Sequence, residues 1–368
     1  MELFWLMLVS AVMIVIQSLV FGRRSLTPVH YERKLSRNRC HAGEEVEMIE
    51  ILENGRALPL PWLRLEAMLP IAFQFAGTTD TVISEGTVYQ NHNSLFSLGR
   101  HTRIVRRHHM ICRQRGSFRV DSALMTTGDL FGLARVSRPV QVRIQMMVYP
   151  AYVPVDHMPE AYRSWQGEVE TRRWINEDPF LITGVREYRN GDPMNQVHWR
   201  ATARTGQLQV FQHGYSADPE VMILLNIELS EQMWSIVTEP TVAEYAISCA
   251  ATAAADLIGR GMKAGFGHNA IIPSENEADA RIWPAYGSEQ LTAILQSMAE
   301  LQLRVRQPFP QFLRSLLADE ERQQLDILII TPHYSEAMRI EVEKLEQAGS
   351  RVSILPVPGV EELKHAVS

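Results

Sequence analysis

The stretch "EVMILLNIEL", residues 220–229, is an apolar run of strand length interrupted only near its end by Asn226 and Glu228. A strand with one face in water alternates polar and apolar side chains. A run without alternation is buried on both faces, as in a parallel sheet covered by helices. The sequence that follows keeps to that plan. "VAEYAISCAATAAADLIGRGM" (242–262) reads as an alanine-rich helix closed by Gly259 and Gly261, its small residues suited to close packing on a sheet. "AGFGHNAIIP" (264–273) reads as the next strand and "SENEADA" (274–280) as an acidic loop. "SEQLTAILQSMAELQ" (288–302) is a helix with Ser288 as its expected N-cap and Glu289 in its first turn. "LDILIITP" (325–332) is a third apolar strand. "SEAMRIEVEKLEQAG" (335–349) is a helix capped by Ser335, and "RVSILPV" (351–357) a last strand. Strand and helix alternate, so residues 216–368 are expected to form a doubly wound α/β domain.

Residues 23–150 follow a different grammar. "EEVEMIEILEN" (44–54) sets Val46, Met48 and Glu50 on one side and Glu45, Glu47 and Ile49 on the other. "TRIVRRHHMICRQRGSFRV" (102–120) sets Ile104, Arg106, His108, Met110 and Cys112 against Arg103, Val105, Arg107, His109 and Ile111. Turn signals at Asn54-Gly55, Pro59, Gly77, Gly99 and Gly116 recur at the spacing of a β sandwich, and no long amphipathic helix interrupts them. Charge marks the same division. Residues 22–150 hold 18 basic against 11 acidic side chains, whereas residues 151–368 hold 18 against 30. The basic run 103–119 admits a lipid-binding or nucleic-acid reading beside that of a solvated strand face. It lacks the interleaved aromatics of a single-strand platform, so no nucleic-acid partner is expected. Three cysteines, Cys40, Cys112 and Cys249, form no CxxC pair. Cys40 could meet Cys112, and the alternative is three small buried thiols.

"LFWLMLVSAVMIVIQSLVF" (3–21) carries no charge. Nineteen helical residues span roughly 28 Å, close to the hydrocarbon thickness of a bilayer. Glu2 stands where a signal peptide would carry Lys or Arg, and no small-x-small cleavage site follows, so residues 1–22 read as a retained transmembrane helix and its flank. The basic flank "GRRSLTPVHYERKLSRNR" places the large soluble part in the cytoplasm, on a single-pass protein of the cell membrane.

Residues 151–215 read as a linker followed by a strand-turn-helix-strand segment, "GVREYRNGDPMNQVHWRATARTGQLQV" (184–210). Arg186 and Tyr188 share one strand face. "RNGD" is a turn, Asp192 an expected N-cap with Pro193 at the first helical position, and Gly206 a left-handed C-terminal cap to a helix over 194–204. Arg186, Arg200 and Arg204 could clamp an external carboxylate or phosphate, or could pair internally with Glu187 and Asp192 or bond helix-end carbonyls. His198 could act as a base or sit as a hydrogen-bonded structural histidine, and Trp199 could anchor a core or offer a platform.

This segment resembles the signature of the domain-of-unknown-function 58 family of membrane-anchored bacterial proteins. The match falls on Gly184, Arg186, Tyr188, Gly191, Asp192, Val197, His198, Trp199, Arg200, Ala201, Thr202, Ala203 and Arg204. Two departures stand out: one N-terminal membrane helix instead of the commoner two, and Met194, Asn195 and Gln196 where basic residues usually follow the Gly-Asp-Pro. The resemblance implies a C-terminal domain like that of von Willebrand factor A. It also implies a MoxR-type AAA+ ATPase as partner, with a transglutaminase-like membrane protein often nearby. Von Willebrand factor A domains often hold a divalent cation on Asp-x-Ser-x-Ser. The corresponding loop here has Asn226, Glu228 and Ser230, a degenerate version, so no metal is expected.

No P-loop, G-x-G-x-x-G, nucleophile elbow or His-x-x-x-His spacing is present, and no cofactor is expected. "GRGMKAGFG" (259–267) leaves a helix and enters a strand, the reverse of a phosphate-cradling order. The sequence therefore points to a non-enzymatic membrane scaffold in contact with lipid and a protein partner, acting in envelope or protein-complex assembly. The alternative is a hydrolase or transferase acting on an anionic envelope substrate through His198 and the nearby arginines.

Overall fold

A computed structural model of the chain describes residues 2–20, 26, 28–75, 81–85, 89–129, 135–175, 177–189, 192–215, 220–231, 237–273, 281–318 and 325–359. It is a mixed α/β, multidomain structure that divides into two compact units, Met1–Ala151 and Tyr152–Ser368. The acidic loop expected at 274–280 lies outside the described residues.

The first unit opens with helix α1 (Glu2–Val20), whose large apolar side chains from Leu3 to Ile16 are mostly exposed, Phe4 at 67% and Trp5 at 60%. Among the described residues ten strands follow: β1 (Val29–Leu35), β2 (Arg39–His41), β3 (Glu45–Asn54), β4 (Leu60–Pro70), β5 (Phe73–Phe75), β6 (Thr81–Glu85), β7 (Tyr89–Leu98), β8 (Arg103–Cys112), β9 (Gly116–Gly128) and β10 (Arg135–Tyr149). They pair in two sheets, β1-β3-β8-β5 and β2-β10-β9-β4-β7-β6, antiparallel throughout except for β2 against β10. One hydrophobic core draws on both, with Val46, Met48, Leu52 and Met110 from the first sheet and Leu63, Leu65, Phe96, Met125 and Val148 from the second. The Asn54-Gly55 turn forms as expected. The Asn54 carboxamide accepts from the Arg56 N–H and donates to the carbonyls of Leu58 and Gly99.

The inward faces also carry charge. Val29, Tyr31 and Arg33 alternate inward from β1, Val46, Met48, Glu50 and Leu52 from β3, and His108, Met110 and Cys112 from β8. Arg33 pairs with Glu50 across the ladder. The Glu50 carboxylate accepts from Arg33 Nη2 at 2.5 Å and Tyr31 Oη at 2.7 Å, and contacts His108 Nε2 at 3.0 Å. His92 of β7 faces the His108 ring edge-on, centroids 5.3 Å apart. The basic run over 103–119 is thus divided: His108 belongs to the core, while Arg103 and Arg107 face outward.

The second unit contains α2 (Glu160–Ile175), β11 (Glu177–Glu187), α3 (Trp199–Thr205), β12 (Gln209–Tyr215), β13 (Glu220–Leu225), α4 (Pro240–Gly259), β14 (Lys263–His268), β15 (Ala270–Ile271), β16 (Arg281–Ala285), α5 (Ser288–Glu300), β17 (Gln302–Val305), α6 (Phe309–Leu317), β18 (Asp326–Thr331), α7 (Glu336–Gln347) and β19 (Arg351–Pro356). Its main sheet runs β16-β14-β13-β18-β19, parallel but for the edge strand β16. Met222 and Leu224 pack with Ile327 and Ile329 against Phe309, Phe312 and Met338 of α6 and α7, while α4 lies against β13, β14 and β18. By length and composition α4 could cross a membrane, but 61% of its apolar window is buried inside this unit. Ala246, Ala250, Ala253 and Ala254 let it approach the sheet closely.

Three sequence expectations are corrected. The linker expected ahead of the signature segment holds a helix, α2. It is docked through Tyr162 and Gln166, which both donate to the Asp256 carboxylate on α4. Ser288 is not the cap of α5: the helix starts at Ser288 itself, and Gly287 at φ 92° makes the turn into it. The short helix α6 and the edge strand β16 stand where no element was expected. Ser335 does cap α7, accepting from the Met338 N–H.

Gly265 lets β16 come close. A Cβ there would stand 2.6 Å from the Ile282 carbonyl and 2.8 Å from Met222 Sδ and Pro284 Cδ. Gly265→Ala is therefore expected to cost about 1–3 kcal/mol in urea unfolding. An unchanged midpoint would show that β16 is not held by this approach.

Candidate functional site

Strands β11 and β12 pair antiparallel, with Arg186 opposite Val210 and Glu187 opposite Gln209. Arg186 reaches along the turn and grips Asp192 with both guanidinium ends, Nη1 to Oδ2 at 2.7 Å and Nη2 to Oδ1 at 2.8 Å. The Arg189 N–H donates to the same carboxylate at 2.7 Å. The Arg186 hydrogen bonds, then the Arg189 N–H, hold the Asp192 carboxyl down at about 2. Asp192 therefore ties the turn together and does not cap a helix. Tyr188, half-buried, donates its N–H to the Leu208 carbonyl at 2.9 Å and extends the hairpin. Gly191 lies outside the described residues.

The segment expected as one helix over 194–204 is broken in two. Pro193 leads a single 3-10 turn over Met194–Gln196. Val197 is then extended, buried, and bridged to Val210, which blocks continuation of the helix. The helix proper, α3, begins at Trp199 with His198 as its cap: the Ala201 N–H donates to His198 Nδ1 at 3.0 Å. An Nδ1 that accepts carries no proton, so a neutral His198 has its proton on Nε2. The ring packs on Phe211, centroids 4.5 Å apart. Gly206 at φ 75° ends α3, as expected, and its N–H donates to the Thr202 carbonyl at 2.9 Å.

The signature cluster thus has two faces. Arg186, Asp192 and His198 are spent inside the hairpin. Trp199 stands 64% exposed, Arg200 and Arg204 are exposed, and among the described residues neither arginine has a hydrogen-bond or ion-pair partner. The internal pairing considered for all three arginines is made by Arg186 alone. Met194 and Leu208 add exposed apolar surface within the same segment.

The second cluster sits at the carboxyl edge of the main sheet, where the strand order turns at β13 and open α/β sheets place their crevices. Asn226 is fully buried. Its Nδ2 donates to Thr331 Oγ1 at 3.0 Å, and its Oδ1 accepts from Asn269 Nδ2 at 2.9 Å and the Glu228 N–H at 3.0 Å. Glu228 accepts from the Phe309 N–H at the start of α6, and burial raises its pKa. Ser230 is exposed. Asn226 and Glu228 thus bond to protein groups. Of the two side chains that hold the Asn226 carboxamide, Asn269 was not singled out from the sequence, although it follows a strand end as Asn226 does. Beside them His268 is buried, accepts from the Ala270 N–H at 3.2 Å, and is pushed down to about 4 by that burial. Among the described residues no group of three or more His, Cys, Asp or Glu side chains is placed to hold a metal ion.

Residues 184–363 match a family model described as a protein of unknown function, DUF58. The chain is 20% identical over 324 residues to the uncharacterised protein YeaD of Bacillus subtilis (strain 168), covering 88% of this chain and 74% of that one. Two solved structures overlap it only loosely. The CARDB domain of the PF1109 protein from Pyrococcus furiosus, in complex with di-metal ions, covers 33% of this chain and 91% of its own, at 15% identity and a TM-score of 0.21. A non-cellulosomal cohesin from Archaeoglobus fulgidus covers 32% and 90%, at 10% identity and a TM-score of 0.21. Likeness at this level decides neither fold nor site.

Proposed function

We propose, proceeding from a chain whose residues 184–363 belong to the DUF58 family of proteins of unknown function, that it is a membrane-anchored, non-enzymatic interaction protein. In this reading α1 is the single-pass anchor beside membrane lipid, the first unit is a β sandwich, and the main sheet with its helices is a von Willebrand factor A-like domain. The large soluble part lies in the cytoplasm. The observation that carries the proposal is the divided signature: an internal clasp of Arg186 on Asp192 that stiffens the hairpin, and an outward face of Trp199, Arg200 and Arg204. Trp and Arg are the side chains that dominate binding energy at protein interfaces, and a rigid support lowers the ordering cost of using them. The two arginines suit an acidic partner surface. The family resemblance names a MoxR-type AAA+ ATPase for that place, with a transglutaminase-like membrane protein nearby, in envelope or protein-complex assembly.

Trp199→Ala and Arg204→Ala, both at exposed positions, are expected to leave the melting temperature unchanged. Each is expected to reduce recovery of the ATPase in crosslinked purifications from native membranes by roughly tenfold or more, the scale of an interface hot spot. Undiminished recovery with both variants would end the proposal. The rival enzyme reading needs His198 as a base. His198→Asn, which retains an acceptor for the Ala201 N–H, would abolish turnover of an anionic envelope substrate while leaving partner recovery intact.

A further inference from the structure

Where the chain crosses from the four-stranded sheet to the six-stranded one, between β1 and β2, the surface holds an open groove of about 700 Å³. Lys34 and Asn38 line it from β1 and the crossing, Arg119 and Asp121 from β9, and Arg143 and Gln145 from β10. All six are exposed. β10 carries a bulge here: Gln141 pairs with Ser122 and Ile144 with Val120, so Val142 and Arg143 together oppose Asp121. Val142 is buried, and Arg143 stands on the outer face with Asp121, next to the paired Gln145 and Arg119. Bulges recur beside binding sites because they re-aim a side chain in this way. The charges of the groove are not settled within the protein. Among the described residues the side chains of Arg119, Asp121 and Arg143 have no hydrogen-bond or ion-pair partner. Lys34 meets Glu32 at 2.9 Å in an exposed pair, a kind that adds little stability and is readily exchanged. Arg33, also in the wall, is already paired with Glu50. Two guanidinium groups left unpaired at one groove repel each other, and a bound anion offsets that repulsion.

We propose that this groove binds a phosphate ester of a hydroxylated alcohol, with Arg119 and Arg143 on the phosphate and Asp121 accepting from a hydroxyl of the alcohol. The planar fork of each arginine matches phosphate oxygens. Phosphate alone fits poorly, because it fills little of the volume and sets its charge against the Asp121 carboxylate. An ester whose alcohol carries hydroxyls places a donor there instead. Lys34 adds a third cation, and the Asn38 and Gln145 carboxamides offer donors and acceptors to the remaining oxygens. The volume suits a small organic ligand of glycerol phosphate size or somewhat larger. Soluble glycerol phosphate and the head group of phosphatidylglycerol share this chemistry. The basic run over 103–119 ends in the groove at Arg119, which gives its last arginine a ligand where the others face solvent or the core. The site lies wholly in the first unit and does not depend on the partner assigned to the Trp199 face.

The test titrates full-length protein in detergent with sn-glycerol 3-phosphate, inorganic phosphate or glycerol in a calorimeter. In parallel, native mass spectrometry counts short-chain phosphatidylglycerol or phosphatidylcholine retained by the same protein. Glycerol 3-phosphate is expected to bind at one site per chain, more tightly than inorganic phosphate, and glycerol to give no heat. Arg119→Gln and Arg143→Gln should each weaken the ester by roughly tenfold or more, with the melting temperature unmoved because both side chains are exposed. Asp121→Asn should narrow the preference for ester over inorganic phosphate by roughly tenfold, since it removes both the acceptor charge and the repulsion. Arg103→Gln, an outward arginine elsewhere in the unit, should change neither. Phosphatidylglycerol retained over phosphatidylcholine, and lost in Arg119→Gln and Arg143→Gln, assigns the site to a lipid head group. Ester binding without such retention assigns it to a soluble ligand. Neither probe bound, inorganic phosphate preferred, or binding unaltered in the double arginine variant would overturn the proposal.

Discussion

Glu50→Ala is expected to lower the stability of the β-rich unit by about 3–5 kcal/mol, read as a large downward shift of its urea midpoint. The Glu50 side chain has no exposed surface and answers three others, Tyr31, Arg33 and His108. Burial alone would raise its pKa. Hydrogen bonds from His108 and Tyr31, with the Arg33 charge, outweigh burial and hold the carboxyl well below the usual carboxylate range. Arg33 is equally enclosed, with one guanidinium nitrogen, Nη1, already without a protein partner. Removing the carboxylate therefore strands a buried cation, which costs more than any single neutral contact in the unit. Glu50→Gln separates charge from shape: it keeps an acceptor for Tyr31 and Arg33 but not the counter-charge, so most of the loss should persist. A midpoint moved by less than about 1 kcal/mol in Glu50→Ala would mean that Arg33 turns to solvent on loss of its partner.

That cluster shows how far the sequence could be read. Alternation placed Glu50 beside Val46 and Met48, and His108 beside Met110 and Cys112, so both were legible as facing the core. The partners were not. Arg33 meets Glu50 because β1 and β3 pair in one particular register, and His92 arrives from the opposite sheet, neither of which is encoded locally. In the second unit the apolar strands β13, β18 and β19 and the long helices α4, α5 and α7 were legible because burial on both faces leaves unbroken apolar runs. The nine-residue α6 and sixteen-residue α2 escaped notice, the first for shortness and the second because its buried Tyr162, Trp165 and Val169 are scattered among polar residues. At the signature, turn chemistry identified Gly206 correctly but misassigned Asp192. A carboxylate before Pro suits an N-cap, and the competing claim of Arg186 becomes visible only once the hairpin is folded.

Acidification from pH 7.5 to below 5 is expected to destabilise both units through two buried histidines. Burial, the leading cause at each, pulls His92 in the first unit and His268 in the second down to about 4. His92 faces Glu50, Arg33 and His108, and the nearby Glu50 charge only partly offsets its burial. His268 accepts the Ala270 N–H at Nδ1, and Arg306 adds to its depression. In the unfolded chain each titrates near 6.5. Between about 4 and 6.5 the unfolded state therefore binds a proton that the folded state refuses, so stability rises with pH across that window. The contribution is complete above about 6.5 and is lost as pH falls toward 4, about 3 kcal/mol for each histidine at the acid end. Glu50, whose carboxyl is held below its ordinary value, acts in the same direction at still lower pH, since protonating it ends its pairing with Arg33. Urea melts at pH 7.5, 6.0 and 4.8 measure the slope. His268→Asn preserves an acceptor for the Ala270 N–H without a titrating ring, and should flatten the dependence of the second unit while costing some stability at pH 7.5. His92→Leu should do the same for the first. A slope unchanged in both variants would mean that each ring gains access to water and protonates without unfolding, which their near-complete burial argues against.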